Sequence, residues 1–149
     1  ACAVGVESTI LSLDGTPLLL RPGGIPVEAL EAMLGSISIG GSAEKPSAPG
    51  QLASHYAPAA RVRLGVITPE ASEIWVGFGP CPGAALSLSP DGDLMAAAAA
   101  LFATLRAADD LAGAEGRIAF APVPETGLGR AINDRLRRAA APRPPQPLI

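Results

Sequence analysis

The sequence runs to 149 residues, room for one ordinary domain or one and a half small ones, and enough to bury a core. Apolar residues make up 48% and charged residues 17%, which excludes a chain disordered throughout and confines disorder to local stretches. The formal charge of −3 leaves no broad basic footprint for a phosphate backbone, so direct nucleic-acid binding is not expected.

Cys2 and Cys81 sit in different segments without CxxC spacing, and His55 stands alone. A zinc site therefore lacks ligands and a disulfide framework lacks partners, so the expectation is a reduced, cytoplasmic protein. The longest apolar stretch, Met95 to Leu105, falls well short of the roughly 20 residues of a membrane span. Ala1 opens abruptly inside a strand-like segment with no basic region, apolar core or cleavage site before it, which suggests an excised fragment.

In chain order, Val4 to Leu13 and Leu18 to Leu20, separated by Asp14-Gly15-Thr16-Pro17, predict a hairpin. After Arg21-Pro22-Gly23-Gly24, the spacing of Val27, Leu30, Met33 and Leu34 predicts a short helix from Pro26 to Leu34. Gly40 to Pro58, rich in Gly, Ser, Ala and Pro, reads as an extended linker. Three strand-like runs follow at Val62–Ile67, Glu73–Phe78 and Ala84–Leu88. A long helix then begins near Asp91-Gly92-Asp93, with Leu94, Ala98, Leu101, Leu105 and Ala108 on one face. A strand at Arg117–Ala121, a turn through Pro122 and Pro124 and a helix from about Leu128 to Ala140 complete an alternating α/β pattern. This second unit looks like a small Rossmann-like sandwich. The Pro-rich tail cannot continue a helix.

Several segments could carry chemistry. Gly5-Val6-Glu7-Ser8-Thr9-Ile10 places two hydroxyls and a carboxylate beside a glycine, either to hydrogen-bond a small ligand or as an ordinary solvated edge strand. Arg21, where a strand meets a turn, either clamps a phosphate or carboxylate or lies at the surface. His55 and Tyr56 are the only His and Tyr of the chain, and a plain spacer needs neither. Tyr56 could stack on a base, while His55 could meet a phosphate or simply pack. Gly127-Leu128-Gly129 is half a phosphate-binding fingerprint and reads as a turn leading into a helix. Arg130, Asp134 and Arg138 lie four apart and are expected to pair on a solvated face. Trp75 to Pro80 reads as a buried strand and tight turn.

In their order and separation, GVESTI, LRPGG, APGQLASHYAP and GLGRAINDRLRRAA resemble the C-terminal half of the long, two-domain form of the threonylcarbamoyl-AMP synthase family. The resemblance covers nearly the whole chain. It implies that residues 1–39 are the end of a YrdC-like catalytic domain with a twisted α/β sheet, 40–60 a linker, 61–141 a Rossmann-like accessory domain and 142–149 a tail. The implied reaction takes L-threonine, bicarbonate and ATP, with Mg²⁺ assisting, to threonylcarbamoyl-AMP for tRNA modification. By the same resemblance Ser8 and Thr9 lie at L-threonine, Arg21 and Tyr56 at ATP, and His55 is a linker contact, while no metal ligand is identifiable. The implied partners are a missing N-terminal YrdC-like segment and proteins of the tRNA-modification machinery. The family's N-terminal basic residues and Ser-Asn loop are absent, and Ala53 and Ser54 stand where some members carry Tyr and Arg. The 149 residues alone are therefore expected neither to bind ATP tightly nor to catalyse. The alternative is an accessory module without chemistry of its own, gating the catalytic cavity or docking partners.

Overall fold

The computed structural model describes residues 5–40 and 58–142. Cys2, most of the expected linker with His55 and Tyr56, and nearly all of the Pro-rich tail lie outside the described residues. The architecture is mixed α/β, with a parallel sheet and helices.

The expected hairpin forms from shorter strands, β1 (Ile10–Ser12) and β2 (Leu18–Arg21). They pair antiparallel with Ile10 opposite Arg21 and Leu11 opposite Leu19, and an irregularity separates the two registers. Helix α1 (Val27–Leu34) starts after Pro26 and is followed by β3 (Ser38–Ile39), a two-residue strand that pairs parallel with β2 and that no sequence pattern announced. The core of this unit is small: Leu19, Val27 and Ile37 are buried, with Leu11 and Leu30 packed against them.

The second unit contains β4 (Arg61–Arg63), β5 (Glu73–Gly77), β6 (Leu86–Ser87), helix α2 (Leu94–Ala112), β7 (Arg117–Phe120) and helix α3 (Gly129–Ala140). Its strands are parallel in the order β4-β7-β5-β6. The run expected at Val62–Ile67 stops at Arg63 because Gly65 takes φ +67°, a backbone turn out of the strand region. One sheet-like hydrogen bond survives beyond it, from Val66 N to Phe120 O at 2.8 Å. The expected α2 face forms: Ala98, Leu101, Leu105 and Ala108 are buried and Leu94 packs at the edge. Asp93 caps this helix by accepting from Ala96 N at 2.7 Å. Val76, Leu101, Ile118, Phe120, Ile132 and Leu136 are its largest fully buried side chains.

Across β7, the Arg63 fork of β4 grips Glu73 of β5, Nε to Oε1 at 2.6 Å and Nη2 to Oε2 at 2.8 Å. Glu70 N also donates to Glu73, and Arg117 pairs with Glu70. Among the described residues no helix is long and apolar enough to cross a membrane.

Candidate functional site

The segment Gly5 to Thr9 lies where the two units meet. Val6 is buried in the larger core. The turn after β2 is pressed onto residues 7–9: Gly24 N donates to Glu7 O at 2.9 Å. A Cβ at Gly23 would fall 2.3–2.4 Å from Glu7 O, Ser8 C and Thr9 N, so only glycine fits there. Thr9 staples the same turn, its hydroxyl donating to Ile25 O at 2.8 Å and accepting from Ile25 N at 3.1 Å.

Arg21, at the end of β2, is 7% exposed. Its guanidinium folds back onto Ser8, with Nε donating to Ser8 O at 3.1 Å and Nη2 to Ser8 Oγ at 3.0 Å. Nη1 lies 3.5 Å from Glu7 Oε2. The structure thus joins two of the residues singled out from sequence. Ser8 is itself exposed. A hydroxyl that accepts from an arginine keeps its own proton for another partner, so Ser8 presents a donor to solvent or to a ligand.

Glu7 Oε2 also accepts from Arg135 Nη2 of α3. Arg135 pairs in addition with Asp134, and Asp134 holds Arg138 with Nε to Oδ2 at 2.9 Å. The Arg135 pKa is lowered first by burial and raised again by Glu7 and Asp134; a guanidinium with that much room stays charged. Its Nε is buried without a hydrogen-bond partner among the described residues.

This arrangement corrects the solvated face expected of α3. Asp134 and Arg138 do pair, but their side chains are only 21% and 14% exposed. Arg130 turns away to Glu28 at 3.5 Å. The Gly5–Glu28 portion of the chain supplies Glu7 and Glu28 to α3, so that face is an internal contact. Arg135 went unsingled in the sequence reading, although a signal existed: it stands between Ala131 and Ala139 on the buried stripe of the helix, where charge is unusual.

Gly127-Leu128-Gly129 forms the expected turn and helix start, and Gly127 N donates to Glu28 Oε1 at 3.3 Å. Trp75 to Gly77 lie in β5, as expected of a largely buried strand. Cavities of about 500 Å³ beside Cys81 and about 440 Å³ beside Arg61 are lined by neither Ser8 nor Arg21. Cys81 is a free thiol donating to Phe78 O at 3.5 Å.

Together these features define a two-unit mixed α/β chain that offers a hydroxyl and a buried guanidinium from a strand and turn, braced by a parallel α/β unit. Residues 25–141 match the family model of the threonylcarbamoyl-AMP synthase C-terminal domain. Threonylcarbamoyl-AMP synthase of Bacillus subtilis is 35% identical over 94% of this chain and 46% of its own length. That of Pyrococcus abyssi is 36% identical over 94% and 47%. The crystal structure of P. abyssi Sua5 complexed with L-threonine superposes with a TM-score of 0.75 at 32% identity, over 93% of this chain and 46% of that one. A variant of the same protein with a histidine and the adjacent tyrosine replaced by alanine gives a TM-score of 0.73 at 30% identity. The chain belongs to the threonylcarbamoyl-AMP synthase family and spans about half the length of these relatives.

Proposed function

We propose that this chain is the C-terminal half of a threonylcarbamoyl-AMP synthase, which joins L-threonine, bicarbonate and ATP into threonylcarbamoyl-AMP and releases pyrophosphate. The product would serve the N6-threonylcarbamoyl modification of an adenosine in tRNA, in the cytoplasm. The observation that carries this reading is the Ser8–Arg21 clasp, in a chain 94% of which aligns with about half the length of relatives of that name.

Ser8 donates its outward hydroxyl proton to L-threonine, as a ligand-facing hydroxyl held from behind can. Thr9, bonded both ways to Ile25, keeps that segment in shape beside the amino acid. Arg21 supplies fixed positive charge toward the ATP phosphates, where adenylation asks for charge neutralisation and alignment. Tyr56 is assigned to the nucleotide and His55 to a linker contact; the two reproduce the adjacent residue types replaced in the P. abyssi variant. Bicarbonate and most ATP contacts fall to the preceding catalytic half. Among the described residues no group of three or more His, Cys, Asp or Glu could hold a metal ion. Mg²⁺ would enter with the ATP phosphates, which ask for only one or two carboxylates from the protein. The unit from β4 to α3 gates or braces the site and contributes no chemistry.

Calorimetric titration of L-threonine and ATP into the full-length protein tests the reading. Arg21→Ala should weaken ATP by about 1.5–3 kcal/mol, the worth of a charged hydrogen bond. A full-length protein that binds neither ligand overturns the synthase reading and leaves a purely structural likeness.

A further inference from the structure

We propose that Arg135 is a positioning residue for the Ser8–Arg21 site, acting through Glu7. Arg135 and Glu7 are 128 positions apart, and Arg135 belongs to α3, in the unit that holds none of the residues assigned to ligands. This inference rests on the L-threonine reading above.

The argument starts from what burial costs. The Arg135 side chain is 4% exposed and occupies an otherwise apolar stripe, between Ala131 and Ala139. A buried guanidinium is tolerated only where carboxylates pair with it. Asp134 offers one such partner, but it is shared with Arg138. The second is Glu7, from the segment that carries Ser8.

Glu7 uses one oxygen, Oε2, for both Arg135 and Arg21. Arg21 in turn spends Nε and Nη2 on Ser8. The result is an unbroken line of contacts from α3 through Glu7 and Arg21 to the Ser8 hydroxyl. The contacts also differ in tightness: Arg135 forms a hydrogen bond with Glu7, whereas Arg21 Nη1 stands off at 3.5 Å. Arg135 therefore sets where the Glu7 carboxylate sits, and the carboxylate limits how far the Arg21 plane can rotate. Without Arg135, the Glu7 side chain, 34% exposed, is free to close on Arg21 as a two-pronged pair. That closure draws Nη2 from Ser8 Oγ and releases the hydroxyl proton from its outward direction. The lost aim of the Ser8 hydroxyl reads out in the KM for L-threonine, and the Arg21 charge drawn toward Glu7 in the KM for ATP.

The test is steady-state kinetics of the full-length protein with L-threonine varied at saturating ATP and bicarbonate, beside thermal melting. Arg135→Leu should raise the KM for L-threonine about tenfold, within the range of couplings between contacting residues, with kcat within about twofold. Arg135→Lys, which keeps a charge against Glu7, should recover most of that KM and covers the case in which the leucine variant fails to fold. Glu7→Gln combined with Arg135→Leu should be no worse than the more affected single variant, because both cut the same line. Lowered melting temperature with unchanged KM, or additive effects of the two changes, overturns the proposal and leaves Arg135 a structural ion pair. If the wild-type protein does not consume L-threonine, the synthase reading falls and takes this inference with it.

Discussion

Residues 5–40 and 58–142 use the same strand-and-helix grammar and end with very different cores. The first unit buries Leu19, Val27 and Ile37 and leaves Leu13, Ile25, Met33 and Ile39 more than half exposed. The second hides six large side chains almost completely, around a parallel sheet with α2 and α3 packed on it. What the first unit lacks in apolar packing it replaces with directed contacts: the Arg21 clasp on Ser8, the Thr9 staple on Ile25 and the backbone approach at Gly23. Directed contacts fix orientation better than apolar packing does, because a hydrogen bond has an angle and a transfer free energy does not. The thinly packed unit is thus the one equipped to aim a hydroxyl, and the well-packed one is equipped to hold it still.

The largest expected effect lies in the second unit. Phe120 is fully buried in β7, so Phe120→Ala should cost about 3–5 kcal/mol by lost transfer energy and the cavity left behind. Denaturant unfolding of the full-length protein followed at Trp75, which lies in β5 beside β7, measures it. A loss below 1 kcal/mol, the size of a surface change, would break the comparison by showing that the second unit does not rely on its core.

That same core is what the sequence made legible. Leu94, Ala98, Leu101, Leu105 and Ala108 repeat with helical spacing over about four turns, and Asp93 caps the start, so pattern and local chemistry agree. Short strands are a poorer signal: β3 has two residues, too few for an alternation, and exists because α1 returns the chain to β2. The end of β4 hung on one backbone angle at Gly65, which a run of apolar letters does not reveal. In the candidate site, Ser8, Thr9 and Arg21 stood out by residue type. Their mutual geometry did not, because it depends on how tightly the turn at Gly23 meets residues 7–9. Arg135 escaped because spacing of four drew attention to Arg130, Asp134 and Arg138, whereas its partner Glu7 lies near the other end of the chain.

An intermediate effect should appear in acid. Glu73 has a fully covered side chain, and the Arg63 fork, helped by Glu70 N–H, holds its pKa below the usual carboxylate value against the opposing effect of burial. A folded pKa lower than the unfolded one gives stability that is complete above the unfolded carboxylate range and is lost as pH falls through the folded value. The melting temperature should therefore drop on acidification below about pH 4, and Glu73→Gln should flatten that descent while lowering the plateau at neutral pH. An acid limb unchanged by Glu73→Gln would move the sensitivity to another carboxylate and detach this ion pair from the stability of the second unit.

The smallest effect sharpens the comparison most, because it concerns how the two units are joined. Glu28 of α1 accepts from Gly127 N at 3.3 Å and lies 3.5 Å from Arg130, at the start of α3. Its own backbone N–H, then Gly127 and Arg130, hold its pKa low against desolvation, and its charge also suits the positive end of the helix. The side chain is 47% exposed, so screening by water leaves the contact worth about 0.3–1 kcal/mol at low salt and less at physiological ionic strength. Glu28→Gln should show that loss in urea unfolding at low salt and converge with wild type as salt is added. By contrast, the Arg135–Glu7 contact, whose guanidinium is 4% exposed, should respond less to salt, since a partly buried pair is screened less. Equal salt dependence for Glu28→Gln and Arg135→Leu would place both contacts in the same solvated rim and remove the basis for ranking Arg135 above Glu28. A clear difference would make Glu28 an adjustable tether and Arg135 the contact that sets register between the unit that aims and the unit that holds.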